Sequence, residues 1–326
     1  MLELRSSIIG KSPAFVKVMS SLPALAASDA PIMVLGETGT GKELIAQEIH
    51  QYSPRAQKTF FPINCAAIPN ELFESELFGS AKGAFTDAKM EKPGILQSID
   101  GGTLFLDEID CIDFNTQAKL LRFIQEGEFK PLGYCRNIKS DIRIIASTNA
   151  DLGQKIRDKI FREDLFYRLN VLNITLPPLR ERIEDIPLLA DYFLEKFSSK
   201  YKKLNMSLAP ETILSFLSYE WPGNIRELEG VMERAILTAS STCIQPQDIV
   251  FSIQTDEKAF GQVPYYVARN EVLDRFERSY LLVTLRAYGG NVSRAANGAG
   301  VDRRILQRLL RKHQIDRSEF SEKMSP

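Results

Sequence analysis

Histidine and cysteine are scarce in this chain, at two and four of 326 residues. Cys65, Cys111, Cys135 and Cys243 show no metal-ligand spacing, which argues against a zinc site and against a disulfide framework. His50 and His313 read as ordinary helix residues rather than catalysts. No apolar run approaches the length of a membrane span, and the N-terminus lacks a signal-peptide core, so the expected location is cytoplasmic, with no membrane partner. A surplus of one charge is missing too. The 41 basic and 42 acidic residues leave a net charge of −1, so the chain as a whole makes no electrostatic case for nucleic acid. The distribution does make one: residues 269–317 carry eleven lysines and arginines against five acidic residues. A hydrophobic content of 44% and a charged content of 25% are those of an ordinary globular chain. The length allows two or three units, one with a substantial core.

What is present centres on residues 32–43, IMVLGETGTGKE. The apolar run Ile32 to Leu35 ends in Gly36-Glu37-Thr38-Gly39-Thr40-Gly41-Lys42, and the helical pattern LIAQEIH follows at once. Strand, glycine-rich turn and helix form the context of a phosphate-binding loop. The glycines let backbone N–H groups converge on phosphate oxygens, the helix start adds partial positive charge, and Lys42 reaches the outer phosphates. Glu43 stands where a Ser or Thr usually touches magnesium. Sixty-odd residues later, GGTLFLDE sets Asp107 and Glu108 at the C-terminal end of a buried strand. That is the sheet edge where open parallel sheets bind ligands. Asp107 suits a magnesium shell, and Glu108 suits orienting or deprotonating an attacking water. The plainer alternative is a solvated acidic turn.

Strand patterns at 32–35, 60–63, 103–106, 142–146 and 171–176 alternate with helical ones, which predicts a parallel α/β sheet covered by helices on both faces. Ser12 and Pro13 read as the N-cap and first residue of a helix to residue 27. After Pro177-Pro178 the pattern becomes all-helical, at 184–200, 210–219 and 224–240. Residues 251–268 show no sustained period. From 276 to 313 three helices are expected, the first ending at Gly289-Gly290, the second capped by Asn291, the third capped by Asp302 after a turn at Gly300. Small residues at a crossing, a glycine turn and a basic helix fit a helix-turn-helix. On the third helix Ile305, Leu306, Leu309 and Leu310 form an inward stripe. Arg303, Arg304 and Gln307 are placed for base edges, and Arg308, Arg311 and Lys312 for phosphates. Gly298 stands inside a helix, at a propensity cost of about 1 kcal/mol relative to Ala.

Seven blocks, GETGTGKE, ELFG, GAFTDA, GGTLFLDEI, FREDLFYRLNV, PPLRER and WPGNIRELE, occur in that order. Over residues 8–250 they resemble the AAA+ domain of bacterial enhancer-binding proteins, the NtrC-like activators of sigma-54 RNA polymerase. The C-terminal unit resembles the Fis-type helix-turn-helix of the same proteins. The architecture implied is an AAA+ P-loop ATPase with a parallel sheet at 1–178, an α-helical lid at 179–250, a linker at 251–270 and an all-α DNA-binding domain at 271–326. The cofactors implied are ATP and Mg2+. Glu43 also ends the family's own phosphate loop. Ile9 and Gly10 match the segment beside the adenine, and Thr148 and Asn149 match a nucleotide sensor. Arg226 matches the lid arginine. Asn64 matches the residue restraining the catalytic glutamate; an asparagine capping a helix is the alternative. Arg162 and Arg168 match arginine fingers, with surface pairing to Glu163 and Asp164 as the alternative. Fingers imply a homo-oligomeric ring, the hexamer favoured over the heptamer.

In the family the GAFTGA loop grips the sigma factor. Here Gly83, Ala84, Phe85 and Thr86 are kept, but Asp87 replaces the second glycine. The resemblance therefore implies an ATP-driven activator that binds upstream double-stranded DNA as a dimer and remodels sigma-54 polymerase. The alternative is a DNA-binding regulator that binds ATP but no longer engages sigma-54 because of Asp87. The ATPase pattern begins by residue 8 and leaves no room for the family's usual sensory domain, so restraint by a trans-acting regulatory protein, or a fragment, is expected.

Overall fold

The computed structural model describes residues 8–81, 91–251, 273–274, 277–278, 280–282, 284–285, 288–313 and 315, and all that follows concerns these. Gly83, Ala84, Phe85, Thr86 and Asp87 lie outside them, as do linker residues 252–270. The described residues fall into two compact units. One runs to Asp185 and takes in Gly223–Arg226; the other holds Ile186–Pro222 and the chain from Glu227 onward. Among the described residues no helix is long and apolar enough to cross a membrane.

The first unit is built on five strands, β1 (Ile32–Leu35), β2 (Phe60–Asn64), β3 (Thr103–Asp107), β4 (Arg143–Thr148) and β5 (Leu172–Thr175). All pair in parallel, in the order β2-β3-β4-β1-β5. Burial on both faces explains why the central strands read as continuous apolar runs. Alternate residues serve opposite cores. Ile32, Val34, Phe105 and Ile145 join Phe15, Leu22, Ile45 and Ile49 of helices α1 (Pro13–Ala26) and α2 (Lys42–Gln51). Met33, Leu104, Leu106 and Ile144 join residues of α3 (Asn70–Phe78), α4 (Phe114–Glu126) and α5 (Glu163–Leu169).

Two local expectations are corrected here. β4 runs on to Thr148, past the predicted end at residue 146, with Ser147 and Thr148 buried. Polar residues survive inside a strand because each hydroxyl finds a carboxylate, Ser147 on Asp107 and Thr148 on Asp110. Ser12 occupies the N-cap position of α1 but its side chain does not cap. It donates instead to Asp185 Oδ2 (2.7 Å), and Asp185 Oδ1 takes the N–H groups of Lys11 and Ser12 (2.6 and 2.8 Å).

The second unit is helical: α6 (Ile186–Lys200), α7 (Pro210–Ser218) and most of α8 (Asn224–Thr238), then α9 (Val292–Gly298) and α10 (Arg303–Lys312). Asn291 caps α9 by accepting from Ser293 and Arg294, and Asp302 caps α10 by accepting from Arg304. Leu281, Leu285, Val292, Ala295, Ala296, Leu306 and Leu310 form the small core around these helices. Gly298 lies under Tyr288, whose hydroxyl would stand 2.1 Å from a Cβ and would have to move aside. Ile305, assigned to the inward stripe, is 42% exposed.

Candidate nucleotide site

The loop from β1 to α2 bends at Gly36, Gly39 and Gly41, with φ of 153°, 78° and 96°. Gly39 is the most crowded of the three: a Cβ would stand 2.2 Å from the Gly223 carbonyl oxygen. Thr40 closes the turn, its hydroxyl donating to Glu37 O at 2.8 Å. Gly41 begins α2 without a side-chain cap, which leaves the helix start open to an anion. Lys42 is buried, and its ammonium donates to Gly36 O (2.9 Å) and Glu37 O (3.1 Å). Burial pulls this lysine below its usual range, and the Asp107 and Glu108 carboxylates oppose that pull. An ammonium held on loop carbonyls is poised to exchange them for phosphate oxygens. Glu43 is exposed at the first turn of α2.

A second layer fixes the loop from outside. Glu37 forms a bidentate pair with Arg180, at 2.8 and 2.6 Å. Asn224 donates to Glu37 Oε2 (3.1 Å) and Thr38 O (3.0 Å) and accepts from Leu179 N–H (2.7 Å). The Arg180 hydrogen bonds hold the Glu37 carboxyl below the usual range, against a small effect of burial and with help from Asn224. Asn224 is fully buried with a φ of 52°, the left-handed region that Asn tolerates better than most residues. Next to it, Ile225 and Arg226 donate their N–H groups to Gly39 O, at 2.9 and 3.4 Å, while the Arg226 side chain stays exposed. Sequence reading singled out Arg226 but missed Asn224 and Arg180. The only signal for Asn224 was its place in a Pro-Gly-Asn turn.

Ile9 and Gly10 are anchored beside this region. Ile9 O accepts from Arg182 (3.1 Å), and Gly10 lies so close to Phe15 that a Cβ would come within 2.3 Å of the ring. Arg182 and Asp185, both buried, pair at 2.9 Å, with the guanidinium 3.7 Å from the Phe15 ring centroid.

Across the sheet edge, Asp107 ends β3 and Glu108 follows it. Asp107 accepts the Ser147 hydroxyl. Glu108 adopts the left-handed conformation (φ 55°, ψ 48°), a strained choice for a non-glycine, and opens a turn through Ile109–Cys111. Sequence reading missed Asp110 in that turn, which is buried between the Thr148 hydroxyl and Lys155, each at 2.6 Å. Burial pushes the Asp110 carboxyl up, but the Lys155 and Thr148 bonds outweigh it and hold the group low. Asn149 Nδ2 reaches the Thr38 hydroxyl at 2.8 Å, linking β4 to the phosphate loop. Asn64 stands beside Asp107 in the β2–β3 register. Its side-chain oxygen takes the N–H groups of Ala66 and Ala67, at 2.9 and 3.1 Å, within a turn rather than at the start of a helix, since α3 begins at Asn70.

Arg162 is the N-cap residue of α5, and Arg168 lies in its last turn. Arg162 pairs with Asp164 (3.0 and 2.7 Å), its guanidinium 5.0 Å from the Phe114 ring centroid. Arg168 is exposed and has no ion-pair partner among the described residues. In α10, Arg303, Arg304, Arg308 and Arg311 are exposed and Gln307 is half-buried. Lys312, expected to meet phosphate, is exposed, with its ammonium paired to Asp274 (2.5 Å) and Glu277 (2.7 Å).

A glycine loop ending in lysine between strand and helix, facing an Asp-Glu pair two strands away, defines the nucleotide site of an AAA+ P-loop ATPase. Residues 8–175 match the family described as "Sigma-54 interaction domain", and residues 180–262 match "AAA+ ATPase lid domain". The chain belongs to the sigma-54-dependent transcriptional activator family, and it is an ATPase. It is 40% identical over 318 residues to the transcriptional regulatory protein GlrR of Escherichia coli K12, covering 98% of this chain and 70% of that one. It is 44% identical over 313 residues to the regulatory protein AtoC of the same strain, covering 95% and 68%. The crystal structure of NtrX from Brucella abortus in complex with ATP aligns with a TM-score of 0.73 at 32% identity, over 95% of this chain and 70% of that one.

Proposed function

We propose that the protein assembles as a ring, hydrolyses ATP at sites shared between neighbouring copies, binds DNA through α10 and remodels sigma-54 polymerase through residues 83–87. The observation that carries this reading is the meeting of Lys42, Asp107 and Glu108 at one sheet edge, in a chain that matches the sigma-54 interaction domain. Glu108 activates the attacking water, and Lys42 and the loop amides hold the outer phosphates. Asp107 supplies a hard carboxylate oxygen, steadied by Ser147, for magnesium; the ion neutralises phosphate charge when bound. Arg162 and Arg168 act on the neighbour's nucleotide. In support, α5 and its flanks expose Ile160, Tyr167 and Val171 (53%, 66% and 52%), apolar side chains suited to being covered by a second copy.

Transcription from a sigma-54 promoter in a purified system tests the reading. Wild type is expected to open the promoter, and Glu108→Gln to retain nucleotide but lose about 10²–10⁴ in turnover together with promoter opening. Activity seen only after Asp87→Gly would instead support the DNA-binding regulator that has left sigma-54. ATPase rate per subunit is expected to fall on dilution; a rate that stayed flat would count against shared sites.

A further inference from the structure

Gln117 is fully buried on α4, and both amide hydrogens and the amide oxygen are spent on main-chain partners. Its Nε2 donates to Ile112 O (2.9 Å) and Ile160 O (3.0 Å), and its Oε1 accepts from Arg162 N–H (2.8 Å). The chemistry of the partners fixes which end of the amide is which, since carbonyls need the nitrogen and the N–H needs the oxygen. Ile112 closes the turn that Glu108 opens, through Cys111 N–H on Glu108 O (2.9 Å) and Ile112 N–H on Ile109 O (3.5 Å). Arg162 is the residue from which α5 starts. One side chain therefore clamps the end of the catalytic turn to the backbone of the guanidinium donor. A second strut runs parallel: Lys155 holds Asp110 at 2.6 Å, and its own carbonyl takes the N–H groups of Ile160 (2.9 Å) and Phe161 (3.1 Å).

We infer that Gln117 is a positioning residue, setting where Arg162 stands relative to the same chain's Glu108 turn, so that one copy's catalytic turn governs the guanidinium it lends to the next. This rests on the shared-site reading above. The Arg162 side chain is held at the surface, by an exposed aspartate and over the ring of the exposed Phe114. Its backbone is held tightly, by a buried amide whose loss would leave three main-chain groups unpaired. Aim is thus set through the main chain, while the fork stays free to reach a neighbour. The amide touches neither the phosphate loop nor Lys42, so its removal acts on turnover rather than on nucleotide affinity.

Gln117→Met keeps the length and removes every polar atom. Alone it is expected to lower ATP turnover by roughly 10- to 100-fold, the scale of a small misplacement of a catalytic group, with KM for ATP within about twofold of wild type. Mixed with Glu108→Gln subunits, which turn over little of their own ATP but carry a correctly held Arg162, the turnover per Gln117→Met subunit should rise several-fold. A mixture of Arg162→Ala with Glu108→Gln is the control and should recover in the same way. Failure of the control to recover would remove the shared-site reading itself. Recovery of the control without recovery of the Gln117→Met mixture would overturn the positioning role alone, since the defect would then lie in the chain's own catalysis. Gln117→Glu, isosteric and still able to accept from Arg162 N–H, is run beside it. Loss of cooperative melting or of nucleotide binding in both variants would make Gln117 a folding residue and overturn the inference.

Discussion

In the proposed function the phosphate loop and helix α5 with its N-cap both supply cations to a triphosphate, the loop to its own chain's and α5 to a neighbour's. The structure treats them in opposite ways. Lys42 is buried, with its ammonium bonded to two loop carbonyls, and Glu37, Thr38 and Gly39 are fastened from outside by Arg180, Asn224 and Ile225. Arg162 and Arg168 sit at the surface, one paired to an exposed aspartate, the other unpaired among the described residues. A group that serves its own chain has its ordering cost met during folding. A group that serves another chain must keep its head mobile, and only its main chain can be fixed in advance.

The sharpest way to break this contrast is at α5. Arg162→Ala and Arg168→Ala are each expected to cut turnover by about 10³–10⁵ while nucleotide affinity, measured by titration calorimetry, stays within about twofold. A parallel fall in affinity would move them to the loop's side of the comparison. On the loop side, Asn224→Gly keeps the left-handed backbone but deletes the bonds to Glu37 and Thr38. Each lost bond is worth about 0.5–1.5 kcal/mol, so nucleotide binding should weaken roughly tenfold with little change in kcat. Unchanged affinity would mean the outer fastening is idle.

Smaller effects sharpen the picture. Gly298→Ala should destabilise the C-terminal helices by about 1–3 kcal/mol through the Tyr288 collision, and the sign should reverse in a Tyr288→Ala background. Melts in which Gly298→Ala stabilised both backgrounds would show that the ring gives way. Last is acid sensitivity, expected on the buried side alone. His50, at the end of α2, contacts Thr103 Oγ1 at 2.9 Å. Burial and then Arg143 depress its pKa, against a bond to the Lys58 backbone. Folding thus favours the neutral ring, whose contribution is complete above the ordinary imidazole range, near pH ~6.5. It is lost as pH falls through that range toward the depressed folded value. The melting temperature of wild type should drop more than that of His50→Gln between about pH 7.5 and 5.5.

Much of the site was legible because its signals are local. An apolar run, a glycine cluster and a lysine locate the loop, and a second run ending in two acids locates the carboxylates. What escaped depends on partners far along the chain. Ser12 looks like an N-cap until Asp185, 173 residues away, claims its hydroxyl and N–H. Ser147 and Thr148 look like a strand's end until Asp107 and Asp110 accept hydrogen bonds from their hydroxyls. Gly298 counts as a propensity defect until Tyr288 is laid over it. Periodicity puts Lys312 on an open face, and it cannot know that Asp274 and Glu277 stand opposite.

Trp221 is the chain's one tryptophan. It is fully buried, its indole N–H donates to Phe216 O at 2.8 Å, and its ring stands edge-on to Phe216, Tyr219 and Phe251. Phe251 is the last described residue before the linker. The protein thus carries an intrinsic fluorophore confined to the helical unit. Its emission colour and quenching report on that unit alone, without a dye, and register whether the chain leading toward the C-terminal helices stays clasped while ATP is consumed.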